Sequence, residues 1–371
     1  MSRVLVAGLG DTGVLTAIGL ARHPELEVVA VSVRPGLVSG QELGLRLARP
    51  EEWARDYRIG FARFRGLDPV RVIHGEVTGI DVGEHTAAIR GEAGASSVEP
   101  WDVLVVATGV TNGFWRRPDL VSDAEVSAGL SRAHGRLAGA ESILVIGGGA
   151  SAVGSALQMA LRWPDKAVSL AFPGEEALIA HHPRVWRAVR ARLERAGVRL
   201  LPRHRAAVPP RAAGEITSGP VCWESETPPQ SADAVLWAIG RVRPNAGWLP
   251  TEMLDDQGFV RVEPTLQVCD QPDVFAVGDV AATDPLRSSA RNRADRLVVH
   301  NVRAHLAPGH QPLRAYRPPR RRWGSVLGAE PDGLRVFSPQ GRCFRFPAWT
   351  IRPLLQPVIV RLGIYRGVRR R

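Results

Sequence analysis

The sequence predicts an α/β protein made of two βαβ-type units, the second inserted between the halves of the first, followed by a small C-terminal α+β region. Three observations carry this. The apolar run Arg3-Val4-Leu5-Val6-Ala7 passes straight into Gly8-Leu9-Gly10-Asp11-Thr12-Gly13. The run Ser142-Ile143-Leu144-Val145-Ile146 passes into Gly147-Gly148-Gly149-Ala150-Ser151-Ala152. A third run, Asp273-Val274-Phe275-Ala276-Val277, ends on Gly278-Asp279. The order strand, glycine-rich turn, helix therefore occurs twice. The third run supplies a strand that returns to the first unit.

In chain order, Val14 to Arg22 carries apolar residues at helical spacing after the first turn. A GxGxxG pattern between strand and helix is the Rossmann-like dinucleotide signature. Its first Gly permits the tight turn, the second lets the backbone approach a pyrophosphate, and the third lets helix pack on strand. The free N–H groups and positive dipole end of the helix receive the phosphates. The second strand, Leu26 to Val33, should close on an acid that holds ribose hydroxyls; Ser32, Val33 and Arg34 stand there instead. Ser32 offers one hydrogen bond in place of a bidentate carboxylate. Residues 35–66 read as a loop and a helical stretch. Val70 to Ile80 alternates as a strand, with two more strands around 87–89 and 98–100. Trp101 to Ala107 is a buried parallel-type strand ending in Thr108-Gly109.

Residues 110–119 cross to the second unit. Its glycine-rich turn leads into a helix over Val153 to Leu161 and a strand over Ala167 to Phe172. Ala171 and Phe172 are neither acidic nor basic, which leaves NADH or NADPH open. Pro183 to Ala196 is an Arg-rich amphipathic helix, read as a solvated outer face. Ala234 to Gly240 is a further buried strand, and Arg241-Val242-Arg243-Pro244-Asn245 leads back, bringing Gly278-Asp279 against the first turn. A helix is expected beyond Leu286. From Pro312 the composition shifts to Pro and Arg, and Pro353 and Pro357 break any long helix in the apolar, Arg-studded tail. That tail is read as packing over the first unit, in preference to lying on an anionic membrane surface.

Composition narrows the function classes. A chain of 371 residues with 44% hydrophobic content holds two to three domains with sizeable cores. Three distant cysteines, Cys222, Cys269 and Cys343, argue against a disulfide framework, a zinc site or a dithiol redox centre, and no metal is expected. They suit a reducing, cytoplasmic compartment. Met1-Ser2-Arg3 enters a strand directly, as no signal peptide does, and no apolar run reaches the roughly 18 residues of a membrane span. The net charge of +11 rests on Arg scattered through helices, dense only at 317–322 and 366–371, so no nucleic-acid partner is expected.

Two nucleotide-binding βαβ units in one chain indicate a two-cofactor flavoprotein, the alternative being an ancient duplication that keeps the fold and binds one nucleotide or none. The ordered set GxGxxG, Ala107-Thr108-Gly109, GGGxxA, Trp237-Ala238-Ile239-Gly240-Arg241 and Val277-Gly278-Asp279 resembles the pyridine-nucleotide-dependent FAD oxidoreductases. Within them it looks most like the apoptosis-inducing-factor-like and ferroptosis-suppressor flavoproteins and the type II NADH:quinone oxidoreductases. The likeness extends nearly end to end, through Gln311 to Tyr316. It implies an FAD-binding domain over 1–112 and 241–310, an NAD(P)H-binding domain over 113–240, and a C-terminal region over 311–371. Gly8, Leu9, Gly10, Asp11 and Thr12 would cradle the FAD pyrophosphate, with Gly13 closing the turn. Arg46 would touch the flavin cofactor, Val77 would hold the adenine edge through its backbone, and Thr108-Gly109 would pass close to FAD. Gly278 and Asp279 would meet the ribityl chain. Gly147, Gly149, Ala150 and Ser151 would receive the NAD(P)H pyrophosphate, and Gly240 would border the nicotinamide.

The chain also departs from the family. An acid shortly after the second turn is replaced by Gly154 and Ser155, and the helix after Gly278-Asp279 opens with the charged stretch Arg291 to Arg296. The expected chemistry is hydride transfer from NADH or NADPH to FAD and on to a small acceptor, by resemblance a quinone. The cofactors carry that chemistry, so no catalytic side chain is assigned. The alternatives are another acceptor (oxygen or a specialised metabolite), a non-turnover FAD/NAD(P)H sensor, and a basic nucleic-acid-binding module on a retired scaffold.

Overall fold

The computed structural model describes residues 1–40, 42–111, 118–210, 212, 215–239, 242–283, 294–309, 311–317, 324–351, 362–363, 365 and 367–369. The first unit opens with β1 (Ser2–Ala7), α1 (Asp11–Leu20) and β2 (Leu26–Ser32). A short ribbon, β3 (Gly36–Val38) with β4 (Arg58–Gly60), brackets helices α2 (Leu43–Ala48) and α3 (Pro50–Tyr57). Then follow β5 (Arg71–Asp81), β6 (Thr86–Gly91), β7 (Ser96–Pro100), β8 (Val103–Val106) and β9 (Val110–Thr111). The second unit contains α4 (Asp123–Gly139), β10 (Ser142–Ile146), α5 (Ala150–Arg162), β11 (Ala167–Ala171) and α6 (Pro183–Arg195). It is completed by β12 (Arg199–Leu201), β13 (Ile216–Val221) and β14 (Gln230–Trp237). The chain returns through β15 (Arg243–Pro244), β16 (Gln267–Val268), β17 (Gln271–Ala276) and α7 (Ala294–Leu306). A small three-stranded sheet, β18 (Ala329–Glu330), β19 (Gly333–Phe337) and β20 (Cys343–Pro347), precedes α8 (Ala348–Thr350).

The strands form an eight-stranded sheet ordered β16-β17-β8-β1-β2-β5-β6-β7 and a five-stranded sheet ordered β12-β11-β10-β14-β13. In the first, β17, β8, β1, β2 and β5 run parallel, and the returning β17 pairs with β8 through Val274↔Leu104 and Phe275↔Val105. The chain leaves the first sheet at β9 and comes back at β15. These two pair antiparallel, Thr111 opposite Arg243 and Val110 opposite Pro244, so both crossings run side by side. This is the mixed α/β architecture with two Rossmann-like sheets that the sequence predicts.

The periodicity explains the layers. Along β1, Val4 and Val6 face a core built with α1 and α7, whereas Leu5 and Ala7 face one built with Ile89, Trp101, Met253 and Val260. Both faces of a parallel strand are covered, so its sequence is continuously apolar. Helix α1 is buried along its whole length, which the mostly apolar run from Val14 to Leu20 permits. Helix α4 starts with a reciprocal capping box: Ser122 Oγ accepts from Glu125 N, and Ser122 N donates to the Glu125 carboxylate. Helix α2 belongs to the first unit by sequence, yet its Leu47 sits in the core of the second, beside Val153, Leu157 and Leu327. The stretch 35–66 thus packs against the second unit as well as the first.

Of the charged stretch after Gly278-Asp279, Arg291, Asn292 and Arg293 lie outside the described residues, whereas Ala294 and Asp295 are buried at the start of α7. No described helix is long and apolar enough to cross a membrane. The far end of the chain meets the first unit: Val368 bridges Phe64, Arg65 N donates to Gly367 O, and Arg369 pairs with Asp68.

Candidate flavin and nicotinamide sites

The first glycine-rich turn divides its work among three glycines. Gly8 has φ +101°, and a Cβ there would lie 2.6 Å from Ala107 O. Only glycine fits that crossing, which draws Thr108-Gly109 against the turn. A Cβ on Gly13 would lie 2.0 Å from Gly8 O, so α1 rests directly on the turn. A Cβ on Gly10 would meet nothing within 4 Å. Its open side faces a cleft of about 470 Å³ at the C-terminal ends of the parallel strands. That volume lies in the range of roughly 300–1,000 Å³ typical of cofactor sites.

The cleft gathers most of the first-unit residues that the sequence singles out. Gly8, Leu9, Gly10, Asp11, Thr12, Val77, Thr108, Gly109, Gly278 and Asp279 all line it. Gly13 lies beneath the turn. Arg46 is placed elsewhere: it is buried in α2, its guanidinium carbon 5.3 Å from the centre of the Trp53 ring, outside the cleft lining. Ser32 and Arg34 line the cleft at the end of β2, and Ser32 Oγ accepts from Arg34 N at 3.2 Å, so the hydroxyl proton is still available to donate.

Three lining features were not singled out as site residues in the sequence. Glu76, on β5 beside β2, brings a carboxylate paired with Arg90. No acid ends β2, but one therefore reaches the same cleft from the neighbouring strand. Asn245 ties the return crossing to the outgoing one: its Nδ2 donates to Thr108 O at 3.1 Å, its Oδ1 accepts from Thr111 at 2.6 Å, and its O accepts from Thr108 Oγ1 at 2.6 Å. The third feature is the setting of Asp11. Its Oδ1 accepts from Ser39 Oγ at 3.0 Å and from Tyr365 OH at 3.0 Å, and its Oδ2 lies 3.5 Å from Gly40 N. Sequence spacing carries no signal for a partner 354 residues away.

The residues present fit FAD. The Gly10 face is open at a helix N-terminus, where phosphate binds. Thr12 Oγ1 is buried with no hydrogen-bond partner among the described residues, as a group reserved for a ligand is. Carboxylates from Asp279 and Glu76 line the wall, suited to hydroxyl groups.

The second turn repeats the plan. Gly147 has φ +140°, and a Cβ there would lie 2.3 Å from Ala238 O. Gly149 opens to free space, and Ser151 is exposed at the first turn of α5. Ala150 begins that helix, whose N-terminus presents the free N–H groups and positive dipole end that favour phosphate. Gly240 lies outside the described residues. Further along α5 the surroundings differ sharply from those of the first unit. A Cβ on Gly154 would lie 2.7 Å from Val326 O, and one on Gly44 of α2 would lie 2.7 Å from Ser155 Cα. This packing leaves no room for the acid that the family resemblance places at this point. Gln158, one turn on, donates to Leu327 O at 2.9 Å and Ala329 O at 2.8 Å and accepts from Arg49 at 3.1 Å.

Residues 2–303 match the pyridine nucleotide-disulphide oxidoreductase family. An FAD-dependent oxidoreductase of Flammulina velutipes is 27% identical over 221 residues, 58% of this chain and 66% of that protein, just under two thirds of its length. A water-forming NADH oxidase from Lactobacillus brevis, solved with NADH, superposes with a TM-score of 0.65 at 18% identity, over 91% of this chain and 75% of that one. The sulfide:quinone oxidoreductase of Aquifex aeolicus superposes with a TM-score of 0.69 at 16% identity, over 93% and 87%. At such identities the two structures establish the shared fold. The match across both glycine-rich turns and the returning Gly278-Asp279 strand places the chain in the pyridine nucleotide-disulphide oxidoreductase family, flavoenzymes whose cofactors are FAD and NADH or NADPH.

Proposed function

We propose that this chain binds FAD in the first cleft and NADH or NADPH at the second glycine-rich turn, and passes reducing equivalents to a small acceptor, a quinone. The observation that carries the reading is the pair of glycine-rich turns, each open at its middle glycine and each at the C-terminal ends of the parallel strands of its own sheet. When bound, the two cofactors supply hydride transfer; the protein supplies binding, alignment and exclusion of water. Gly10 and the N-terminus of α1 take the FAD pyrophosphate, Thr12 donates to it, and Ser32 with Glu76 takes the ribose that an acid at the end of β2 would otherwise hold. Asp279 accepts from the ribityl hydroxyls. Asn245 fixes the paired crossings and with them the angle between the units. No side chain needs to act as nucleophile or general base.

Direct transfer to an acceptor is supported by the cysteines. Cys222, Cys269 and Cys343 are each free, and none lines the first cleft, so no thiol pair stands between flavin and acceptor. Their free state also suits a cytoplasmic setting. A quinone is favoured by the family resemblance.

The test is the visible spectrum of the purified protein, recorded anaerobically before and after NADH and NADPH, and then after a quinone. A yellow protein bleached by either donor and restored by the quinone is the expected result. A flavin that neither donor bleaches overturns the enzyme reading in favour of a flavin-holding sensor. Bleaching that only oxygen reverses overturns the quinone. A colourless protein that FAD cannot reconstitute overturns the assignment of the cleft.

A further inference from the structure

The C-terminal end of the chain reaches the heart of the first site. Asp11 is the first residue of α1, where the helix dipole favours negative charge and where the proposed FAD would place its phosphates. A carboxylate there competes with a phosphate for the same N–H groups and repels it. Its Oδ1 is held by two hydroxyls, one from Ser39 just after β3 and one from Tyr365 near the end of the chain.

Tyr365 is itself fixed from two sides. Its ring meets Phe64 edge-on, with centroids 5.4 Å apart and planes at 78°. Beyond it, Arg65 N donates to Gly367 O at 3.2 Å, Arg369 N donates to Arg63 O at 2.8 Å, and the Arg369 guanidinium takes both oxygens of Asp68 at 2.6 and 2.8 Å. Burial first, then the Asp11 charge, holds the Tyr365 phenol well above its usual range, so the hydroxyl remains a donor.

We propose that Tyr365 is a positioning residue of the flavin site: donating to Asp11, it turns that carboxylate toward protein hydroxyls and clears the N-terminus of α1 for the cofactor's phosphates. Gly367 to Arg369 form the clasp that holds it there. The inference rests on the assignment of FAD to the first cleft, and it assigns the clasp a part in cofactor affinity.

The test is FAD affinity of the full chain, measured by quenching of flavin fluorescence on apoprotein, for four variants. Tyr365→Phe keeps the ring and the clasp and removes one hydroxyl. Losing a hydrogen bond to a charged group, it raises the FAD dissociation constant about tenfold. Asp11→Asn removes the charge, and on that background Tyr365→Phe changes the constant by less than about twofold. Ser39→Ala withdraws the other hydroxyl without touching the clasp, weakens FAD in the same direction, and carries the test if Tyr365→Phe does not fold. Unaltered affinity in the soluble Tyr365→Phe protein, or in Ser39→Ala, overturns the proposal. So does a tenfold loss that persists on the Asp11→Asn background, since Tyr365 would then act through packing alone. Failure of the parent chain to bind FAD is a separate outcome: it overturns the assignment of the cleft, and the role of Tyr365 with it.

Discussion

The two glycine-rich turns are local copies with different surroundings. Both begin with a glycine at positive φ pressed on a carbonyl of the neighbouring strand, at Gly8 and at Gly147, and both have an open middle glycine, at Gly10 and at Gly149. The helices that follow diverge. The N-terminus of α1 borders a cleft, and its first residue is held by Tyr365 from the chain end. Helix α5 lies under α2 and the segment around Val326 to Ala329, which a glycine at 154 and a buried Gln158 accommodate. The C-terminal region thus grips each unit with a different part: residues around 327 hold the second, and the last residues hold the first. A shared turn defines where phosphate can bind, and the packing around it decides what else can be placed there.

Substitutions at matched positions test this comparison. The largest effect belongs to the covered glycines. Gly8→Ala and Gly147→Ala each drive a Cβ into a backbone oxygen at positive φ, and both should cost about 3 kcal/mol or more, read from urea unfolding. Only a small loss at either site would show that the turns relax where their geometry says they do not.

Removing Gln158 comes next. Gln158→Leu leaves two carbonyls and Arg49 without this partner, and should lower stability by about 1–3 kcal/mol while flavin content is unchanged. Loss of flavin in that variant would mean that the grip on the second unit also shapes the first site.

The open glycines should behave in the opposite way. Gly10→Ala and Gly149→Ala should each shift stability by no more than about 1 kcal/mol. The first should weaken FAD about tenfold or more, and the second should raise the dissociation constant of the nicotinamide donor while flavin is retained. If both lose flavin, the two turns do not serve separate cofactors. Thr12→Val is smaller: it should weaken FAD by about 3- to 10-fold with the melting temperature unmoved, because its hydroxyl has no partner among the described residues to lose.

The smallest effect is on acid stability at the rim of the C-terminal sheet. Glu330 is buried between Arg192 of α6 and Arg335, and Arg335 also holds Asp332. The Arg335 hydrogen bond is the main cause that lowers Asp332 to about 2. A carboxylate lowered in the folded state stabilises above its ordinary range, and that contribution fades as pH falls through about 2. Asp332 is partly exposed, so solvent screens the pair. The parent should therefore exceed Asp332→Asn in stability only slightly near neutral pH, and the difference should vanish near pH 2.

Much of this was legible along the chain. The alternation of Val4, Leu5, Val6 and Ala7, the two glycine-rich turns and the returning Val274-Phe275-Ala276 strand all declare themselves in a few consecutive residues. The strands expected around 87–89 and 98–100 are β6 and β7, and the amphipathic helix expected over Pro183 to Ala196 is α6. The role of residues 35–66 was not legible. Leu43 and Leu47 look like any apolar helix face, and nothing in their spacing says that the face enters the core of a different unit.

The sequence by itself determined the two strand–turn–helix units and the glycines that open them. Those features depend on backbone freedom and on periodicities of two and 3.6 residues, which are local properties. The tertiary structure decided that Glu76 faces the cleft that lacks an acid at the end of β2, that Gly154 and Ser155 pack beneath the C-terminal region, and that Tyr365 meets Asp11. Each of these joins surfaces from distant parts of the chain. Such contacts depend on the closure of long loops and on complementary shape, and neither is written in the spacing of residues.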